Sequence, residues 1–190
     1  MVVDEAVAAT LRGAVQTQVA VFVASCAERM GQVFTGLSGS DRSRGSDVEL
    51  FIQLLGDLWS AETSAARFRD YVASLEGFRE LEPSDEEIVD VAGIYSFYSV
   101  LVLRYAALYR SGGDVEDALK CAHACLTAMG QLDQNLPGVD FFAQEAEFQQ
   151  NSASPALSGA RDSGPVSRLR ERDQAVSRER LKAIQARLRR

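Results

Sequence analysis

The run Ile94–Tyr109, IYSFYSVLVLRYAALY, is broken only by Ser96, Ser99 and Arg104, and it limits this chain more than any other stretch. A segment that is apolar almost all round belongs in the middle of a helical bundle, not on its surface. Ser84, three residues before Glu87, has the spacing of a reciprocal cap in which each side chain satisfies a free N–H at a helix start. The two together predict a central helix over residues 84–110, about 40 Å long. The run is too long and too poorly alternating for a strand. It also falls short of the roughly 18 unbroken apolar residues of a membrane span and carries Arg104. The expected fold is all-α: one bundle around this helix, with Ile94, Phe97, Leu101, Leu108 and Trp59 in its core.

The flanking segments show helical spacing too. Val7, Leu11, Val15, Val19, Phe22, Cys26, Met30, Val33 and Leu37 fall in steps of three and four and draw one apolar stripe. Gly13 and Gly31 weaken that helix, with a break expected near Gln16–Gln18. After a Gly/Ser loop over 38–45, Ser46 and Glu49 repeat the capping pair, and Phe51, Leu54, Leu55, Leu58 and Trp59 form a buried face. A further helix is expected over 61–76, stopped by Gly77. Gly112–Gly113 ends the central helix and Asp114 caps the next, whose stripe is Val115, Ala118, Ala122, Cys125, Met129 and Leu132. Beyond the Pro137–Gly138 turn, a short helix over 140–150 is expected to bury Phe141, Phe142 and Phe148. The chain thus divides into a helical domain over 1–150, a linker-like stretch over 151–165, and a basic helix over 166–190 docked on that domain or on a partner subunit. Val166, Leu169, Val176, Leu181, Ile184 and Leu188 are the apolar positions of this last helix.

Charge is distributed unevenly. The net −7 of the 190 residues conceals ten Arg/Lys against four Asp/Glu in residues 161–190, which leaves ten against 23, or −13, in the rest. An acidic body favours basic partners and repels nucleic acid, and no aromatic residue interleaves the C-terminal arginines. Met1–Glu5 is acidic and no compact apolar segment follows it, so a cytoplasmic location is expected, with no membrane or nucleic-acid partner.

Motifs for chemistry are sparse. Cys26, Cys121 and Cys125 are too few for a disulfide framework. Cys121 and His123 point about 200° apart on a helix and cannot share an ion. Cys121 and Cys125 are helical neighbours with only Cys26 as a further candidate, so the three read as small apolar core residues. Glu145 and Glu147, two residues apart, diverge as well. No nucleophile with a positioned base and no phosphate-binding or dinucleotide fingerprint is present. The expectation is therefore a non-enzyme with no metal, no cofactor and no catalytic residues. One cluster stands out: seven acids against Arg79 between Glu76 and Asp90. Part of that charge complements the dipole of the central helix. The rest makes Glu80, Glu82, Asp85, Glu86 and Asp90 a candidate docking face for a basic protein.

Cys26-Ala27-Glu28-Arg29-Met30, Asp57-Leu58-Trp59 and Gly93-Ile94-Tyr95, in this order and at these intervals, resemble the YjaG-like family, a bacterial family of domains of unknown function. The resemblance covers most of residues 11–136, and Glu171-Arg172-Asp173 extends it more weakly into the basic tail. It implies an all-α fold without established catalytic residues. It also implies a role as an immunity protein that neutralises a bacterial polymorphic toxin, since relatives are found among proposed immunity proteins. The chain departs from the family in 139–165, where Phe141, Phe142, Phe148 and a Ser/Ala/Gly stretch stand in place of a tryptophan-rich acidic helix. The alternatives are a structural or regulatory homo-oligomer whose basic tail docks on a neighbouring subunit, and an enzyme with an unrecognised site.

Overall fold

The computed structural model describes residues 3–39, 41–82, 90–136, 138–154 and 164–189. Among them are eight α-helices and no strand: α1 (Glu5–Gly13), α2 (Gln16–Ser38), α3 (Gly45–Leu58), α4 (Ala65–Leu75), α5 (Val91–Gly112), α6 (Val115–Asn135), α7 (Phe141–Ser152) and α8 (Gly164–Leu188). The fold is an all-α bundle, as the apolar run implies.

Its centre is a pair of helices. α2 lies against α5, α6, α3 and α8, and α5 against α2, α4 and α6. Fifteen of the 23 residues of α2 are buried, among them Phe22, Val23, Cys26, Met30, Val33 and Phe34. Gly31 and Gly36 allow this close packing. A Cβ at Gly31 would meet Leu55 of α3 at 2.6 Å, and one at Gly36 would strike Leu181 of α8.

α5 corrects several expectations. It begins at Val91, where the Asp90 carboxylate accepts a hydrogen bond from Gly93 N–H. The expected Ser84–Glu87 cap lies outside the described residues. With 22 residues and a mean hydropathy of 1.5 over its most apolar window, α5 is long and apolar enough to cross a membrane, contrary to the length argument from sequence. Its buried side is Tyr95, Ser99, Val102, Leu103, Ala106 and Tyr109, widened by Val100 and Ala107. Ile94, Phe97, Leu101 and Leu108 are only partly buried, so the expected core face was rotated from the real one. Trp59 is likewise partly buried, packed against the core rather than in it. A segment apolar on every side carries no phase, and neighbouring helices decide which side faces inward.

Helix starts also differ from the sequence reading. The first stripe breaks at Ala14–Val15, just before the expected point, and leaves Val15 60% exposed. Ser46 and Glu49 do not cap α3, which follows directly from a 3₁₀ turn at Arg42–Arg44 capped by Asp41. Ser64, not a residue near Ala61, caps α4 by accepting from Arg67 N–H. Gly77 is not in the left-handed region; Gly113 (φ 79°) and Gly138 (φ 104°) are the described residues that are. Gly113 ends α5 as expected, and Asp114 caps α6. On α7 only Phe141 of the three phenylalanines is fully buried, and its inner face continues through Glu145, Gln149 and Ser152.

Candidate functional site

The inner face of α8 is Leu169, Asp173, Ser177, Arg180 and Ile184, three of the five being polar or charged. Of the apolar positions read from sequence, Leu169 and Ile184 are buried, but Leu188 is 43% exposed and Val176 and Leu181 are half-buried, and the pattern misses the polar residues between them. The polar residues meet others on α2 and α7. Arg29 of α2, 0% exposed, donates from Nε and Nη2 to the two oxygens of Glu145 at 2.9 and 2.8 Å, a two-pronged pair. Arg180 Nη2 donates to Glu145 Oε2 at 2.6 Å, and Gln149 Nε2 to Oε1 at 2.8 Å. Arg29 Nη1 reaches Asp173 at 3.3 Å and Ser25 Oγ at 2.5 Å, and Ser25 in turn donates to Asp173 at 2.6 Å. Two guanidiniums and two carboxylates thus balance in a buried space where α2, α7 and α8 meet.

Electrostatics follow from this arrangement. Burial opposes ionisation of Glu145, but Arg29 and Arg180 prevail and hold its carboxyl at about 2. Asp173 shifts the other way: burial pushes it up, and Arg29 and the Ser25 hydroxyl only partly offset this. The Arg29 guanidinium is held well above its usual range, since Glu145, Cys26 and Asp173 outweigh the desolvation that would lower it.

Cys26, Cys121 and Cys125 are free and buried beside this network. Burial pushes the Cys121 and Cys125 thiols up. Cys26 also suffers burial, yet the other two thiols and Arg29, whose Nη2 lies 3.4 Å from its sulfur, hold it below the ordinary range. The Cys26 and Cys125 sulfurs and a Glu145 oxygen lie within 4.8 Å of one another. As a metal centre this donor set is a poor fit, because both Glu145 oxygens already accept from guanidiniums that a cation would have to displace. Cys121 donates instead to Val102 O and Cys125 to Cys26 O, at 3.5 and 3.6 Å. Among the described residues every buried side-chain polar atom has a hydrogen-bond partner.

The expected docking face is only partly assembled. Glu80 points inward: its oxygens accept from Arg44 at 2.5 and 2.7 Å and from Ser96 at 2.7 Å, and its side chain is 5% exposed. Arg44 in turn lies over the rings of Phe34 and Phe78. Glu80 is therefore a strut that ties the segment after α4 to the 3₁₀ turn and to α5, and it is unavailable to a partner. Glu82 and Asp90 are exposed, and Asp90 also caps α5. Asp85 and Glu86 lie outside the described residues.

Residues of Cys26–Met30 also contact Asp57–Trp59 and the start of α8, whereas Gly93–Tyr95 takes no part in these contacts. Glu28 accepts from Trp59 Nε1 at 2.7 Å and from Arg170 Nε at 3.1 Å, and the Arg170 guanidinium sits 5.7 Å from the Trp59 ring. Its neighbours Cys26 and Arg29 reach Cys125, Glu145 and Asp173. Sequence reasoning missed Arg180 and Gln149. The available signal was a charged residue in line with apolar ones at helical spacing, Asp173 and Arg180 between Leu169 and Ile184 and Glu145 one turn after Phe141. No known protein family, curated protein or solved structure matches the chain.

Proposed function

We propose that this chain is a non-catalytic, cytoplasmic binding protein that neutralises a basic bacterial toxin by occluding it, the role the YjaG-like resemblance implies. The observation that carries this reading is where the charged groups are used. Arg29, Arg180, Glu145 and Asp173 pair with one another inside the bundle, while Glu82 and Asp90 remain exposed beside the entry to a rigid helix. Exposed acids on an acidic body accelerate encounter with a basic partner. Asp85 and Glu86 belong to the proposed face by sequence alone, and Glu80 is withdrawn from it.

The test is co-expression with a toxic domain encoded beside this chain's gene. Growth should be restored by the parent chain, and association of the purified pair should slow with added salt. Reversing Glu82, Asp85 and Glu86 together to lysine should slow association at low ionic strength while helicity is retained. An equally fast folded triple variant defeats the acidic-face reading. A second reading has its own observation. The outer side of α8 exposes Arg168, Arg172, Arg178, Lys182 and Arg189 against Glu171 and Glu179, opposite in sign to the rest of the chain. That side suits a homo-oligomer held by charge, which would dissociate as salt is raised.

A further inference from the structure

A cleft of about 410 Å³ opens where the start of α2 meets the ends of α3 and α5. That is large enough for a small organic molecule. Ala20, Val21, Leu58 and Ala65 make much of its wall apolar, and Trp59 and Tyr109 contribute aromatic surface. Arg110 is the one charged residue that lines it, and no acid does.

Arg110 differs from the buried arginines elsewhere in the fold. Arg29, Arg44 and Arg180 each face a carboxylate. Among the described residues no carboxylate lies within 4.0 Å of Arg110. Its Nη atoms donate instead to the carbonyl oxygens of Leu58 and Ser60 at 2.5 and 2.8 Å, and its guanidinium carbon lies 4.5 Å from the Phe68 ring centre. These contacts fix the group in place without neutralising it. The hydrogen bonds to Leu58 and Ser60 use two of its five N–H donors, and Arg110 is among the residues that line the cleft. Burial lowers its pKa, opposed only by Tyr109 and the more distant Asp57, whose carboxylate accepts from Tyr71 at 2.6 Å. α2 adds no counter-charge, because its first turn holds no acid and no side chain caps it. On a chain of net −7, an apolar cleft with one immobilised, unneutralised cation is a conspicuous exception.

We propose that this cleft binds a small organic monoacid, its carboxylate on Arg110 and its apolar body against Trp59 and the first turns of α2. One cation and no acid set the ligand charge at one, and the wall calls for a hydrocarbon or aromatic body. This site is separate from the acidic docking face.

Trp59 is the only tryptophan, so its emission reports on the cleft directly. The full chain is titrated with benzoate and with octanoate, and benzyl alcohol serves as the neutral match to benzoate. At least one acid should bind saturably, with benzyl alcohol weaker by about tenfold or more, the scale of one charge-assisted contact. Arg110→Gln should remove the preference for the acid. Because that change also removes donors to Leu58 and Ser60, a second variant, Ala61→Phe at an exposed position on the rim, fills the opening and leaves Arg110 untouched. It should abolish binding with the thermal transition unchanged. Absence of saturable binding by both acids, equal affinity for benzyl alcohol, or undiminished binding by folded Ala61→Phe would each overturn the proposal.

Discussion

Glu145→Gln tests the organisation of the bundle most directly. The carboxylate accepts four hydrogen bonds, from Arg29 Nε and Nη2, Arg180 Nη2 and Gln149 Nε2, all between 2.6 and 2.9 Å. Glutamine fits the same space but turns an N–H₂ group towards a donor, and it leaves two buried guanidiniums against Asp173 alone. Removing one partner of a buried ion pair costs about 3–5 kcal/mol. A carboxylate shared by two arginines belongs at the upper end of that range. Against a total stability of roughly 5–15 kcal/mol, the loss should be plain in the urea midpoint followed by helicity. Arg180→Met gives the control. With Glu145→Gln it restores the balance of one arginine and one carboxylate, so the double variant should be more stable than the two single losses predict, by about 1–3 kcal/mol. A loss below about 1 kcal/mol for Glu145→Gln, or strict additivity in the double variant, would refute the claim that this network holds α7 and α8 to α2.

Two further outcomes follow from the same structure. Glu145 is held at about 2 in the fold against an ordinary 4.5, so its contribution of about 3 kcal/mol is complete above pH 4.5 and is lost as pH falls through 2. Asp173, raised in the fold, gains stability on protonation and opposes that loss, whereas Glu80, held low by Arg44 and Ser96, adds to it; Glu145→Gln should therefore flatten, without abolishing, the fall towards pH 2 in urea titrations at several pH values. Leu103→Ala should destabilise by about 2–5 kcal/mol and Leu101→Ala by clearly less, since Leu103 is fully buried and Leu101 only partly; equal losses in urea denaturation would show that the inner face of α5 is misassigned.

The helical character of nearly every segment was legible in the sequence because spacing of three and four is a local property, visible without knowing what covers it. The rotation of α5 was not, for an all-round apolar segment offers several equivalent faces and only α2, α4 and α6 choose among them. One capping pair misled for a similar reason. Ser46 and Glu49 have the right interval, yet the 3₁₀ turn at 42–44 hands the chain to α3 before Ser46 is reached. The charged centre was least legible. Residues such as Asp173, Ser177 and Arg180 cannot be read as buried until partners 35 to 151 positions away are known. Glu28 meets Trp59 and Arg29 meets Asp173, contacts that no spacing along the chain announces.

The separation between Arg29 and its counter-charges also bears on how the chain folds as it is made. Glu145 follows Arg29 by 116 residues and Asp173 by 144. At about 5–20 residues per second of synthesis, α2 waits roughly 6–30 s before those acids exist. Throughout that interval its most central side chain must stay hydrated, because a lone guanidinium cannot be sealed into an apolar interior. The helices made in between can form and begin to associate, but α2 cannot close against a dry neighbour at Arg29. Final consolidation therefore waits on the ribosome, and α2, made long before α7 and α8, is among the last to become fully enclosed.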